Sequence, residues 1–411
     1  MELLQSNHAA ELPKSAEAVV IGGGVIGCAC AYFLARDGVD VCLLERGDIG
    51  AGTSSAAAVA ALLQTKTSTI KMALAKKSLS LLDELHEDFD AGFEYKRSGS
   101  LLAASSPTEM ELVKKKSAAL RTLGLDIQLV NGDEARSLMP MLGPTIIGGS
   151  YSPGDAIINP LHLVVAYTAV SRRLHAKIHT FTEVIGIEID RNRILAVCTN
   201  KGKILTETII NAAGVWSPQI AGMVNLDLPI TPLKGELLVT EAVPPMMRGT
   251  LISAQYLQSK AQLEQRVNGA APQRSVGITL AQVERGNFII GSTREQAGFD
   301  RQSSYDGINR LVSQLLAIAP NLSHIRILRT YAGLRPITPD GLPIIGRAPQ
   351  LPGFIVAAGH GGDGISLSAV TAELVVDIFK GTAVSELEAA LGQDRFTHKK
   401  SLTEQTIHDT M

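Results

Sequence analysis

Three patterns in the 411-residue chain place residue types where they can do chemistry. The first is Gly22-Gly23-Gly24-Val25-Ile26-Gly27, set between the β-branched run Ala18-Val19-Val20-Ile21 and the amphipathic stretch CACAYFLARDG. A second apolar run, Val39 to Leu44, ends in Glu45, about 18 residues beyond Gly27, near the ~20 that a dinucleotide fold requires. Gly22 permits a tight turn, Gly24 lets backbone N–H groups approach a diphosphate, and Gly27 lets the helix lie on the strand. The diphosphate then rests on a helix N-terminus, and an acid at the second strand end accepts hydrogen bonds from ribose hydroxyls. These residues point to a bound dinucleotide.

The second pattern is VAAGHGGDGI, residues 356–365, with glycines at 359, 361, 362 and 364 between an apolar run and a helix expected over 365–379. Such a loop reads as a second phosphate loop, a lid hinge or a surface touched by something flat and electron-poor, and if it opens the helix its N–H groups and the helix dipole favour negative charge. His360 lies inside it and reads as a neighbour of that charge rather than a base. The third is Arg335, in AGLRP. A planar, permanently charged guanidinium holds a carboxylate through two parallel hydrogen bonds. Tyr256, in SAQYLQSK, and Gln282, in GITLAQVERGNFIIG, read equally as further candidates for the same pocket or as residues of a sheet.

The elements that must position these residues begin with strand, glycine turn, helix, strand and acid within the first fifty residues. After Arg46 the chain enters a small-residue loop through Thr53, Ser54 and Ser55, suited to threading past a long cofactor, instead of repeating the βα rhythm. A helix over 68–90, a strand over GSLLAAS and a charged helix over 108–123 follow. Residues 178–189 and 193–197 read as a hairpin, and Leu205–Asn211 as a strand running into Ala212-Ala213-Gly214-Val215-Trp216-Ser217. Ser217-Pro218 and Asn159-Pro160 both read as an N-cap followed by proline at the first helical position.

Bulk composition excludes several functions. With 38 Lys and Arg against 40 Asp and Glu, the net charge of -2 offers no footprint for nucleic acid or an anionic membrane. The cluster Lys114-Lys115-Lys116 reads as a solvated helix face. Cys28, Cys30, Cys42 and Cys198 form no C-x-x-C pair and read as small core residues of a reducing compartment, not as metal ligands. The opening MELLQSNHAAELPKS lacks a signal-peptide apolar region, and no run approaches the roughly 18 apolar residues of a membrane span. A cytoplasmic location is expected, with residues 1–15 and 390–411 as polar tails.

Taken together, VVIGGGVIGCACAYFLARDGVDVCLLERG, IINAAGVWSPQIAG, FIIGSTRE, YAGLRPITPDGLPIIG and VAAGHGGDGI resemble the FAD-dependent amine oxidoreductases, which include glycine, sarcosine and D-amino-acid oxidases. The resemblance covers nearly the whole chain. It implies an α/β fold with a discontinuous Rossmann-like FAD-binding domain over 16–90, 150–225 and 328–385. An α+β substrate domain with a mostly antiparallel sheet would occupy 91–149 and 226–327. It implies non-covalent FAD, with Gly22, Gly24, Val25 and Ile26 at the pyrophosphate, Glu45 at the ribose and Arg46 at the adenosine end. Thr53, Ser54 and Ser55 would follow the diphosphate and ribityl chain, Val184 would pair with adenine through its backbone, and Ala213, Gly214 and Trp216 would approach the cofactor. Gly359, Gly361, Gly362, Asp363, Gly364 and Ile365 would surround the flavin, with Arg335, Tyr256 and His360 at the substrate.

The implied reaction is oxidation of the C–N bond of an amino acid or N-substituted amino acid by hydride transfer to flavin, the imine then being hydrolysed. Four positions depart from the family pattern. Val59 stands where glycine is common, Ile278 aligns with a carboxylate-binding tyrosine of glycine oxidase, and Ile289 with a lysine of sarcosine oxidases. Gly362 takes the place of a second arginine of glycine oxidase, leaving room for a bulkier substrate or a changed electron route. PLKGELL and GITLAQVERGNFIIGSTRE look most like catalytic β subunits of opine and D-hydroxyproline dehydrogenases and of hydrogen cyanide synthase. That likeness implies partner subunits that take electrons to an acceptor other than oxygen and provide any contact with a membrane. A self-contained peroxide-forming oxidase and a non-catalytic subunit that keeps FAD for assembly are the alternatives.

Overall fold

A computed structural model describes residues 11–52, 60–66, 68–89, 92–265, 274–382 and 385–396. Its first sheet has six strands in the spatial order Ile344–Ala348, Leu351–Ala358, Ile209–Asn211, Ala18–Ile21, Val41–Leu44 and Lys177–His179. All neighbours are parallel except the outermost pair, Ile344–Ala348 with Leu351–Ala358. The central strands are continuous apolar runs because both faces are covered. Val20 and Leu43 point into a layer of helices, Val25–Arg36, Thr69–Asp88, Pro160–Arg173 and Gly364–Lys380. Val19, Cys42 and Leu44 point the other way, against Val184, Ile194 and Ile220. Each fully buried Leu, Ile or Val contributes roughly 1.5–3 kcal/mol, and this double layer holds the glycine turn in place.

The second sheet has eight strands, in the order Ile327–Ile337, Thr231–Ala242, Asn287–Arg294, Ser275–Gln282, Thr250–Ser253, Ser100–Ala104, Gly148–Ser152 and Gln128–Asn131. It is antiparallel apart from the contact of Thr250–Ser253 with Ser100–Ala104. Alternation along its strands divides the side chains. Leu238, Ile278, Leu280 and Ile290 enter a core with Leu311 and Leu315 of the helix Tyr305–Ile318. Leu237, Thr279 and Ile289 face a cavity on the other side. The fold is therefore α/β, a Rossmann-like parallel sheet beside a mostly antiparallel one.

The helices expected near 68–90, 108–123 and 365–379 are present as Thr69–Asp88, Pro107–Thr122 and Gly364–Lys380. Four local expectations are corrected. The proposed hairpin strand 178–189 is two strands in different sheets, Lys177–His179 on the parallel sheet and Val184–Asp190 on a three-stranded one. Leu205–Asn211 divides likewise into Gly202–Leu205 and Ile209–Asn211. In both places polar residues at the junction break an otherwise apolar run. Ser217 is not a cap: it lies in helical conformation at the head of Ser217–Gly222, behind a 3-10 turn over Gly214–Trp216, with its hydroxyl buried and unpaired. Asn159 does cap its helix, accepting from the N–H groups of Leu161 and His162. Finally, residues 390–396 pack on the fold, with Leu391 buried and Arg395 paired to Asp340.

Candidate functional site

A cavity of about 550 Å³ opens between the two sheets. Its floor is the glycine turn. Gly22 has φ of +112°, and a Cβ there would lie 2.6 Å from the Ala212 carbonyl oxygen. A Cβ on Gly27 would come within 1.8 Å of the Gly22 oxygen, so any larger residue would push the helix Val25–Arg36 off its strand. The helix begins behind Gly24, which brings no capping side chain, and Gly22, Gly24, Val25 and Ile26 all line the cavity. Glu45, at the end of the next strand, is oriented by its own backbone. One carboxylate oxygen accepts from Gly23 N–H at 2.7 Å and the other from Gly47 N–H at 2.8 Å.

Arg46 closes one end of the cavity, its guanidinium 4.0 Å from the centroid of the Trp216 ring. Trp216 is stacked in turn on Phe299 from the second sheet's loop, with ring centroids 6.1 Å apart and planes at 24°. Asn211 shapes the turn that carries Ala213 and Gly214: its side chain accepts from Ala213 N–H and donates to the Ser217 carbonyl. Val184, Ala213, Gly214 and Trp216 line the cavity. Thr53, Ser54, Ser55 and Val59 lie outside the described residues.

The glycine loop 359–364 meets Arg335 at the opposite wall. Gly361 N–H donates to the Pro336 carbonyl at 2.8 Å, tying the loop to the strand that carries Arg335. Gly361, Gly362, Gly364 and Ile365 line the cavity, whereas Gly359 turns against Thr338 and is absent from the lining. His360 is buried with Nε2 2.9 Å from the Thr371 hydroxyl. Burial, and less strongly Lys71, pushes its imidazole down to about 3 against the opposing pull of Asp363. The ring is therefore uncharged at neutral pH.

Asp363 is held between two buried lysines, its carboxylate 2.6 Å from Lys66 Nζ and 3.2 Å from Lys71 Nζ. Lys66 and Asp363 both line the cavity. Neither lysine stands out in the sequence. Lys66 is 297 residues from its partner, and only the packing of Thr69–Asp88 against Gly364–Lys380 brings them together.

Arg335 lies across the neighbouring strand at Gly235, where a Cβ would come within 2.3 Å of its Nη1. Through that gap it reaches Asn287–Arg294, donating from Nη2 to the Ser292 hydroxyl at 2.5 Å and from Nη1 to the Thr293 carbonyl at 3.3 Å. Burial, then Arg294, pushes its guanidinium down to about 10, so it remains charged at neutral pH. Arg294 is buried, with its Cζ 4.3 Å from the centroid of Tyr256, which lines the cavity. Sequence reasoning singled out neither Gly235 nor Arg294. The available signal was parity: Ser292 and Arg294 share a face of one strand.

Two candidates fall elsewhere. Gln282 points away from the cavity and clamps a turn, its amide accepting from Met246 N–H and donating to the carbonyls of Val243, Pro244 and Gly286. Ile278 is fully buried in the core of the second sheet, and strand alternation brings its neighbour Thr279 to the cavity instead. Among the described residues there is no group of His, Cys, Asp and Glu that could hold a metal, and Cys28, Cys30 and Cys42 are buried.

Comparison with known proteins agrees with this layout. Residues 17–378 match the family described as FAD dependent oxidoreductase (DAO). The chain is 28% identical over 369 residues to a glycine oxidase of Geobacillus kaustophilus, covering 88% of this chain and 92% of the relative. It is 26% identical over 404 residues to hydrogen cyanide synthase subunit HcnC of Pseudomonas aeruginosa, with the same coverage. Among solved structures it is similar to an L-proline dehydrogenase from P. horikoshii, with a TM-score of 0.84 and 27% identity over 94% of this chain and 99% of the other. With its parallel sheet, glycine turn and strand-end acid in place, the chain belongs to the FAD dependent oxidoreductase (DAO) family.

Proposed function

We propose that this chain oxidises the C–N bond of an amino acid or N-substituted amino acid, whether a D-amino acid, an imino acid or an opine. The imine would be hydrolysed afterwards, and the electrons passed to a partner subunit or another acceptor that is not oxygen. The observation that carries the reading is Arg335, a charged guanidinium in the wall of the cavity that the glycine turn also lines. Relatives named glycine oxidase, and a similar structure named L-proline dehydrogenase, support the amino-acid class.

The residues present fit a dinucleotide: a Cβ would fill the turn at Gly22, and Glu45 is held at the strand end by two backbone N–H groups. Non-covalently bound FAD would supply the two-electron acceptor. The chain's own contribution is positioning. Arg335 fixes the substrate carboxylate, the apolar walls at Leu62, Leu237 and Ile289 keep water away, and the amine is selected in its neutral form. His360, buried and with its imidazole pushed down to about 3, is too weakly basic to serve as a general base, and none is required for transfer of a hydride from a neutral amine. Gly362 lies against Arg335, where a Cβ would meet its Cδ and Nε in ordinary contact at 3.7 Å.

The same reading keeps two structural units, with 16–90 and 150–225 supplying most of the parallel sheet. The strand Ile327–Ile337 pairs with Thr231–Ala242, so the last piece of the cofactor unit is better begun after 337 than at 328. Among the described residues no helix is long and apolar enough to cross a membrane, which suits an enzyme working in the cytoplasm with partner subunits. The similarity to glycine oxidases favours a second reading, a self-contained oxidase. An anaerobic screen of flavin bleaching across D-amino acids, imino acids, sarcosine and opines tests the amine reaction, and a silent screen would overturn it. Peroxide yield in air separates the readings: stoichiometric peroxide from the isolated chain would favour the oxidase.

A further inference from the structure

Two guanidiniums lie close together at the cavity, Arg335 in its wall and Arg294 behind it, and among the described residues neither has a counter-ion. Arg335 makes its hydrogen bonds to neutral oxygens of Lys234, Ser292 and Thr293. Arg294, 4% exposed, donates to the Ser259 hydroxyl and lies over the Tyr256 ring. Among the described residues no carboxylate comes within ion-pairing distance of either. The acids nearest in sequence are committed elsewhere. Glu295 pairs with Arg274 at 2.7 Å, Asp300 with Lys234 at 2.6 Å, and buried Glu236 accepts from Ser304 N–H. Buried like charges of this kind are costly unless something brings negative charge to them.

One carboxylate satisfies Arg335 and leaves Arg294 uncompensated. We propose that the substrate carries two carboxylates on either side of its amine, one gripped by Arg335 and the other placed at Tyr256 within the field of Arg294. The inference rests on the amine-oxidising reading and narrows its substrate class to dicarboxylated secondary amines. Arg294 stands one side chain behind the cavity lining, so it acts as a specificity residue through Tyr256.

The holoprotein tests this with non-oxidisable probes, read by perturbation of the flavin absorbance. Glutarate is expected to bind at least about tenfold tighter than butyrate, which corresponds to about 1.4 kcal/mol. Arg294→Gln should bring that ratio close to one while changing butyrate affinity less than about threefold, and Arg294→Lys should retain part of it. Equal affinity for the two probes in the wild-type protein overturns the proposal, as does a preference that survives Arg294→Gln. The wild-type comparison decides even where the variants lose flavin. Anaerobic bleaching separates the two levels. Bleaching by sarcosine or proline without preference for iminodiacetate sinks the dicarboxylate class alone. Selective glutarate binding with no bleaching by any amine leaves the anion site standing and removes the oxidation reading.

Discussion

At the scale of single residues, the site depends on charges held away from water. Arg335 keeps its charge at neutral pH although burial and Arg294 push its guanidinium down to about 10, and it donates hydrogen bonds to the Ser292 hydroxyl and to the carbonyls of Lys234 and Thr293. Arg335→Ala is expected to raise KM for a carboxylated substrate at least about tenfold while the flavin-to-protein ratio stays unchanged. An unaltered KM would remove Arg335 from the substrate site. His360 behaves oppositely, since its imidazole is pushed down to about 3 by burial. The pH profile of kcat/KM between 5 and 8 should therefore keep its shape in His360→Gln. A limb near 6.5 that disappears in the variant would make His360 a base after all.

At the scale of elements, close approach and buried hydrogen bonds set the geometry. The helix Val25–Arg36 can rest on its strand only because position 27 has no Cβ. Gly27→Ala should abolish flavin retention in purified protein, measured as the 450 nm to 280 nm absorbance ratio, and lower the melting temperature. Asp155 joins three segments, accepting from Leu63 N–H at 2.8 Å, the Ser100 hydroxyl at 2.6 Å and the Ser152 hydroxyl at 3.2 Å. Burial nevertheless pushes its carboxyl up to about 6, against 3.8 in the open chain. The folded state thus holds this proton more tightly, so the contribution is fully present below pH 3.8 and is lost as pH rises through about 6. The loss amounts to about 3 kcal/mol. Urea midpoints measured from pH 4 to 7 should fall less steeply in Asp155→Asn than in the wild-type protein, and parallel curves would refute the assignment.

At the scale of the whole molecule, contacts distant in sequence hold the cavity together. Asp363, Lys66 and Lys71 form a buried charge cluster that joins the loop before one helix to the start of another. Removing its one acid strands two ammonium groups, and Asp363→Ala should cost about 3–5 kcal/mol, seen as a lower urea midpoint. Adding Lys66→Ala to that variant should recover part of the loss. The stack of Arg46, Trp216 and Phe299 likewise spans the two sheets.

Local covalent chemistry made part of this protein legible in one dimension. The glycine spacing from 22 to 27, the acid at 45 and the continuous apolar strands carry their own steric and hydrogen-bonding requirements. A dinucleotide turn was therefore readable without coordinates, as were a buried parallel sheet, the asparagine cap at 159 and Arg335 as a candidate. Gln282 misses the cavity because its amide is engaged by the turn at Val243, Pro244 and Gly286, and at 278–279 register across the sheet gives the cavity face to Thr279 and the core to Ile278. Only the tertiary structure set Lys66 on Asp363, opened the gap at Gly235 for Arg335, and brought Arg294 and Arg335 together with no acid paired to either among the described residues. Those relations join residues tens to hundreds of positions apart, and no local propensity records which charges the folded chain will bury side by side.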